Sequence, residues 1–416
     1  LDAQKEELSL RKLMEKIDTK ARSKAFYLAT HYWEGQYLLE LRRKLQPNGE
    51  YRDSSAPDKK ARMYRRFAKL TPCQIVTFYM LPNYYCGYNK QPAHLFGKID
   101  LLIVDEAGQV SPEVGTPSFA LARRALVVGD TFQIEPVWSV TRRIDEANAQ
   151  ESGVVASREE YEKAISRGCL AASGDLMRMA QRACRYTEYP DLAPGLMLTE
   201  HRRCVPEIIA YCNDLVYKGK LEPCRKESDE ERSQRPAFLP PLGEIDVKGT
   251  DELAGGSRKN ESEAHALAEW VKTHAPALRE RYKDKKRDGE KELTAILGII
   301  TPFAAQKHAI SQALTRALGE GHNITVGTVH ALQGAERPVV LFSPTYGVGH
   351  SGTTFFDTGD NMMNVAVSRA KDSFLVIGNL DLFREESASP SGLLAQHIRR
   401  RRNGEDAGKL HTPDAE

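Results

Sequence analysis

No stretch of the 416-residue sequence approaches the roughly 20 consecutive apolar residues needed to cross a bilayer. The N-terminus is charged and has no apolar core of the kind a secretory leader carries. No C-x-x-C pair occurs among the seven cysteines, at 73, 86, 169, 184, 204, 212 and 224. An odd count without metal-ligand spacing speaks against both a disulfide framework and a metal–sulfur centre, and fits reduced thiols. The expected setting is therefore cytoplasmic, with the nucleus left open, and no membrane partner. Strong charge of one sign is also lacking: the formal net charge is +2. That near-neutrality hides an asymmetry. Residues 1–70 hold 17 Lys/Arg against 10 Asp/Glu, so the remainder is acidic.

At 416 residues, 41% hydrophobic and 28% charged, the chain is too long for one ordinary core, so two domains are expected. The basic segment, residues 1–70, includes LRRKL (41–45) and KKARMYRR (59–66). Tyr27, Tyr32, Trp33, Tyr37, Tyr51 and Tyr64 are interspersed. Such residues suit phosphates and exposed bases, and they equally suit a solvated helical face with its aromatics turned inward. Residues 1–46 read as helical, and 47–58 as a turn-rich break.

Beyond residue 70 the pattern changes. Short apolar runs at 74–81, 99–104 and 125–129 read as strands, and so do 297–300, 324–329, 338–343 and 374–378. Helical periodicity fills several gaps: Val205, Ile208, Ile209, Cys212, Leu215 and Val216 recur at i, i+3, i+4, and Ile310, Ala313, Leu314 and Ala317 share a face. Continuously apolar strands alternating with helices predict an α/β fold with parallel sheets covered on both faces. The expected divisions are a basic helical accessory segment at 1–70 and a first α/β domain with a helical connector at 71–195. A second α/β domain at 196–385 and a polar tail at 386–416 follow. Residues 222–262 read as a surface excursion.

The run IDLLIVDEAGQV (99–110) ends in Asp105 and Glu106. An aspartate at the end of a buried strand can hold Mg²⁺ directly or through water, and a neighbouring glutamate can orient or deprotonate an attacking water. A lone Asp-Glu after a strand is equally often a plain surface turn. A second apolar run then ends in Gly129-Asp130, with Gln133 three residues on, where an amide can bridge a phosphate or the water to a second site.

VDEAGQ followed by VVGDTFQIEPV resembles motifs II and III of superfamily 1 helicases, in the branch that includes the nonsense-mediated-decay helicase and its DNA-acting relatives. Further segments follow in family order. LTEHRRC (198–204) resembles motif IV, with Arg202 reaching a γ-phosphate. IITPFAAQ (299–306) resembles a segment that meets the nucleic-acid backbone. GTVHALQGAERPVVLFS (327–343) resembles motif V, with Gln333-Gly334 as a turn and Glu336 at the nucleotide sugar. NVAVSRAKDSFLVIGN (364–379) resembles motif VI, with Arg369 as an arginine finger, and SRKNESEA (257–264) matches a further family segment. His201 stands where many relatives have tyrosine.

The resemblance implies two RecA-like domains of the P-loop NTPase kind, the first N-terminally truncated, with a helical N-terminal insertion or accessory segment. It implies ATP and Mg²⁺ as cofactors, bound between the domains. Asp105, Glu106, Gln133, Arg202 and Arg369 would be catalytic, with Asp105 at the metal. Asp130, Gln333, Gly334 and Glu336 would bind the nucleotide. Thr77, Thr301, Pro302, Thr328 and His330 would contact single-stranded DNA or RNA, with movement 5′→3′. One part is missing: no G-x-x-x-x-G-K-[ST] occurs anywhere in the sequence. The first residue is Leu1, and the expectation is that the P-loop lies upstream in a longer parent, with further domains or protein partners. The fragment alone would then hydrolyse ATP negligibly. The alternative is a degenerate module that binds nucleic acid or a protein without turnover.

Overall fold

The computed structural model describes residues 10–45, 56–225, 228, 233–283, 292–329 and 336–402. By contacts the chain forms two compact units, Leu1–Gly129 with Val137–Ala180, and Asp130–Pro136 with Gln181–Glu416.

The first unit opens with α1 (Leu10–Lys16), a π-helical stretch Ile17–Arg22 and α2 (Ser23–Lys44). The expected helix is thus present over its described part. Its aromatics are not turned inward, however: Phe26, Tyr27, Tyr32 and Trp33 are exposed. Next come α3 (Pro57–Phe67), the single turn α4 (Leu81–Tyr84), and the antiparallel pair β1 (Cys86–Asn89) and β2 (Gln91–His94). The strand β3 (Leu102–Val104), helix α5 (Pro112–Phe119) and strand β4 (Ala125–Val127) make a parallel pair with its crossover. Leu102 and Val104 bury one face against Leu81, Ala107, Leu121 and Leu176, while Ile103 (59% exposed) and Leu126 (52%) point to solvent on the other. The connector forms α6 (Arg142–Glu151), α7 (Arg158–Ser166) and α8 (Leu176–Ala183).

Residues 74–81, expected as a strand, are not one. They run irregularly into α4, and Ile75 is 99% exposed. A strand needs a neighbour for its backbone N–H and C=O groups. Among the described residues none pairs with this segment, so its β-branched composition has nothing to fit against.

The second unit starts its chain pass with the short parallel pair β5 (Glu200–His201) and β6 (Glu222–Pro223), separated by α9 (Pro206–Cys212) and a π-helical turn Asn213–Tyr217. Strand β7 (Leu242–Asp246) follows, then the hairpin of β8 (Glu252–Ala254) and β9 (Ser257–Lys259). Helices α10 (Glu261–Arg281) and α11 (Leu293–Ile296) lead to β10 (Leu297–Ile300), α12 (Ala304–Leu318) and β11 (Thr325–Gly327). The unit closes with β12 (Arg337–Phe342), α13 (Asp360–Ser368), β13 (Ala370–Gly378) and α14 (Pro390–Arg402).

Five strands form one all-parallel sheet in the order β11-β10-β12-β13-β7. The apolar runs within β10, β12 and β13 are covered on both faces, and their side chains alternate between two cores. Val340, Phe342, Phe374 and Val376 pack with α9, α13 and α14 on one face; Val339, Leu341, Leu375 and Ile377 pack with α10 and α12 on the other. Asn260 caps α10 by accepting the Glu263 N–H at 3.2 Å, and α12 ends at Gly319, whose φ of 87° suits glycine. This is the α/β architecture expected from the sequence, a parallel sheet covered on both faces.

Two readings of this half need correction. The 222–262 segment is not only a surface excursion, since β7 within it is an edge strand of the central sheet with Leu242 buried. Residues from 386 are not merely a polar tail either. The helix α14 sinks Leu394, Ala395 and Ile398 into the core, and its arginines mask that apolar stripe in the composition.

A candidate nucleotide site

Asp105 and Glu106 follow β3 directly and are exposed. Glu106 adopts a left-handed backbone (φ 53°), so the chain turns sharply where the strand ends. Its N–H donates to Asp105 Oδ1 at 3.0 Å, and Gln109 Nε2 donates to Glu106 Oε2 at 2.6 Å. Gly129, after β4, lies so close to this turn that an added Cβ would sit 2.8 Å from the Ala107 nitrogen. Only glycine lets the two strand ends approach in this way. Among the described residues no three or more His, Cys, Asp and Glu gather as a metal cage. A lone carboxylate of this type suits Mg²⁺, which commonly keeps water and substrate phosphate as its other ligands.

Asp130 and Gln133, expected with the first domain, pack instead in the second unit. Ile134 joins its core. Asp130 Oδ2 accepts from Tyr217 Oη at 2.5 Å and from Gln133 Nε2 at 3.3 Å. Asn364 Nδ2 donates to the Phe132 carbonyl at 2.8 Å, and to Tyr217 Oη at 3.1 Å. Burial and the Asp130 carboxylate raise the Tyr217 pKa, so the phenol stays a donor. Gln133 then reaches Arg369: Nη2 donates to its Oε1 at 3.4 Å. Arg369 caps the C-terminal end of α13 and is only 6% exposed.

Beside it lies an open cavity of about 570 Å³, lined by Glu200, Arg202, Arg203, Arg225, Glu336 and Lys371, with His201 at its wall. Arg202, assigned to a γ-phosphate from the sequence, is largely exposed and ion-paired with Glu200. Its neighbour Arg203 is the one that turns to Glu336, at 3.2 Å. Lys371 pairs with the other oxygen of the same carboxylate, and this pairing, more than any other influence, holds the Glu336 pKa below its ordinary value. Arg225 donates to the carbonyls of Arg203 (2.9 Å) and Lys371 (2.8 Å) and pairs with Asp372, fixing the floor. Burial, with Arg203 adding to it, lowers the His201 pKa to about 4, so its neutral ring accepts the Cys204 N–H at 3.1 Å and pins the turn.

The remaining predicted positions fare differently. Thr77 is exposed in the irregular segment before α4. Thr301, after β10, is fully buried, with its hydroxyl against that of Thr345 at 3.0 Å. Pro302 and Thr328 are half-buried at the ends of β10 and β11. His330, Gln333 and Gly334 lie outside the described residues. Sequence reasoning missed Arg203, Lys371, Tyr217 and Asn364. The first two were visible as basic residues beside the chosen arginines. Tyr217 and Asn364 read as ordinary helix positions.

The parallel sheet thus carries a glutamine-braced arginine and, at the entry ends of β12 and β13, a basic cavity. Residues 178–381 match a family model described as an AAA domain. Human "probable helicase senataxin" is 26% identical over 285 residues, 68% of this chain and 10% of that protein. The mouse "5′-3′ DNA helicase ZGRF1" is 30% identical over 218 residues, 51% of this chain and 10% of that protein. "Regulator of nonsense transcripts 1" of Dictyostelium discoideum is 23% identical over 295 residues, 68% of this chain and 19% of that protein. The chain thus spans between a tenth and a fifth of these relatives. Its sequence is similar to proteins named as helicases.

Proposed function

We propose that this chain is the major part of the motor region of an ATP-driven helicase or translocase that moves along single-stranded DNA or RNA. The observation that carries this reading is Arg369, buried, braced by Gln133 and set beside the Arg203–Glu336–Lys371 cluster. Such charge suits a phosphoryl group in transfer, and an arginine finger contributes ~10³–10⁵ in rate. Asp105 would hold Mg²⁺, which neutralises phosphate oxygens when bound. Glu106, oriented by Gln109, would position the attacking water. Arg203, rather than Arg202, would reach the terminal phosphate, and Glu336 the sugar. Pro302 and Thr328, half-buried at the ends of neighbouring strands, would meet the nucleic-acid backbone, whereas Thr301 is buried and would only support them. The 5′→3′ direction rests on the family resemblance and on the printed name of the mouse relative.

The 416 residues hold no P-loop, so we expect negligible ATP hydrolysis from this chain alone. A polypeptide in which a P-loop segment precedes Leu1 should release phosphate when single-stranded DNA or RNA is added. In that longer protein, Glu106→Gln and Arg369→Ala should each slow the reaction by about 10²-fold or more. Unchanged rates in both variants overturn the assigned roles. The missing P-loop also favours a second reading, a module that binds nucleic acid or protein without turnover. Strand binding without any stimulated hydrolysis in the longer protein would select it.

A further inference from the structure

We propose that Lys371 is a further phosphate-binding cation of the basic cavity, and that Glu336 serves as its internal counter-ion until a polyphosphate displaces it. This rests on the nucleotide reading of the same cavity. The cavity's basic groups are not equivalent. Arg202 is committed to Glu200 at the rim. Arg225 is committed to two backbone carbonyls and Asp372. Arg203 and Lys371 remain, and both lean on the one Glu336 carboxylate. Two cations sharing one carboxylate leave a net positive charge facing the cavity. Each of the two is about one-third exposed (34% and 35%), so each can be reached from solvent.

The backbone of Lys371 is anchored, while its head is held by the exchangeable pairing with Glu336. Its carbonyl accepts from Val205 N–H at 2.9 Å and from Arg225 Nη1 at 2.8 Å. The four-carbon stem can therefore swing the ammonium from a fixed base. A terminal phosphate carries more charge and more acceptor oxygens than a carboxylate, so it outcompetes Glu336 for both cations. Displacement frees the Glu336 oxygens to accept hydroxyl hydrogens, the role proposed for it at the nucleotide's sugar. The ligand class is the polyphosphate end of a nucleotide, and the counter-ion keeps the empty site from gathering unrelated anions.

The test uses the whole 416-residue chain, with sodium tripolyphosphate as the probe in titration calorimetry and far-UV circular dichroism as the folding check. Lys371→Met should weaken binding by about tenfold, Lys371→Arg should retain most of it, and Glu336→Gln should tighten it. The exposed Lys248→Met should change nothing. Wild-type chain that binds no tripolyphosphate at millimolar concentration overturns the proposal. If Arg369→Ala weakens binding and Lys371→Met does not, Lys371 is no phosphate ligand and the nucleotide reading survives. If neither variant changes binding, both fall. If Glu336→Gln binds no tighter than wild type, the counter-ion role is refuted.

Discussion

Glu263 is a carboxyl with no water around it. It is fully buried in the first turn of α10, where it accepts from Ser343 Oγ at 2.6 Å and from the Thr345 N–H at 2.8 Å. Thr345 in turn meets Thr301, and Gln306 ties Ser343 to the Asn260 backbone. Burial outweighs these hydrogen bonds and pushes the Glu263 pKa up to about 8. A folded-state pKa above the unfolded value means that the folded protein binds the extra proton. The associated stability is complete below the unfolded pKa, near 4.5, and is lost as pH climbs towards 8. Glu263→Gln should flatten that part of the stability–pH curve in urea unfolding between pH 5 and 8. Glu263→Ala, which strips these donors of their acceptor, should cost about 1–3 kcal/mol near pH 5 and less as pH rises towards 8. None of this was readable beforehand: SRKNESEA matched a family segment, yet nothing in eight letters says which glutamate is buried. The same limit separated Arg202 from Arg203. Two adjacent arginines are indistinguishable until β5 and the His201-pinned turn aim one at Glu336 and the other at solvent.

Elements were legible where both faces are covered. Four of the five strands of the central sheet overlap their expected spans, because an apolar run has one stable home, the inside of a parallel sheet. Legibility failed where an element's fate depends on a neighbour. The 74–81 run has strand-like residues and no partner, so it stays irregular. The stretch after β4 reads as one continuous motif, yet Asn361, Asn364 and Tyr217 draw Asp130–Pro136 into the second unit. The helix α14 was hidden by its own composition. Pro390 accepts from Tyr211 Oη at 3.0 Å, and Ser391 ties to Asp357 through its N–H (2.9 Å) and its hydroxyl (2.8 Å). Leu394 is wholly buried beside them. Leu394→Ala should therefore cost about 2–5 kcal/mol, seen as a lower urea midpoint. A dispensable tail would show no change.

Across the whole molecule, the second unit carries two cores on one sheet, with few large apolar side chains left in water. Most of the exposed ones belong to the first unit: Phe26, Tyr32 and Trp33 on α2, Ile75, and the outer face of the β3–β4 pair. The sequence announced an α/β chain correctly, and its charge asymmetry marked the N-terminal helices as different. Composition did not reveal how unevenly the two units bury what they have. The strand pair that carries Asp105 and Glu106 makes this tangible. Its wet side, with Ile103 and Leu126, is a ready landing place for any greasy solute. A naphthalene-sulfonate dye should glow on the native protein, without denaturant. Replacing Ile103 and Leu126 with lysine should dim that glow and reduce turbidity in concentrated samples, while leaving the basic cavity's chemistry untouched.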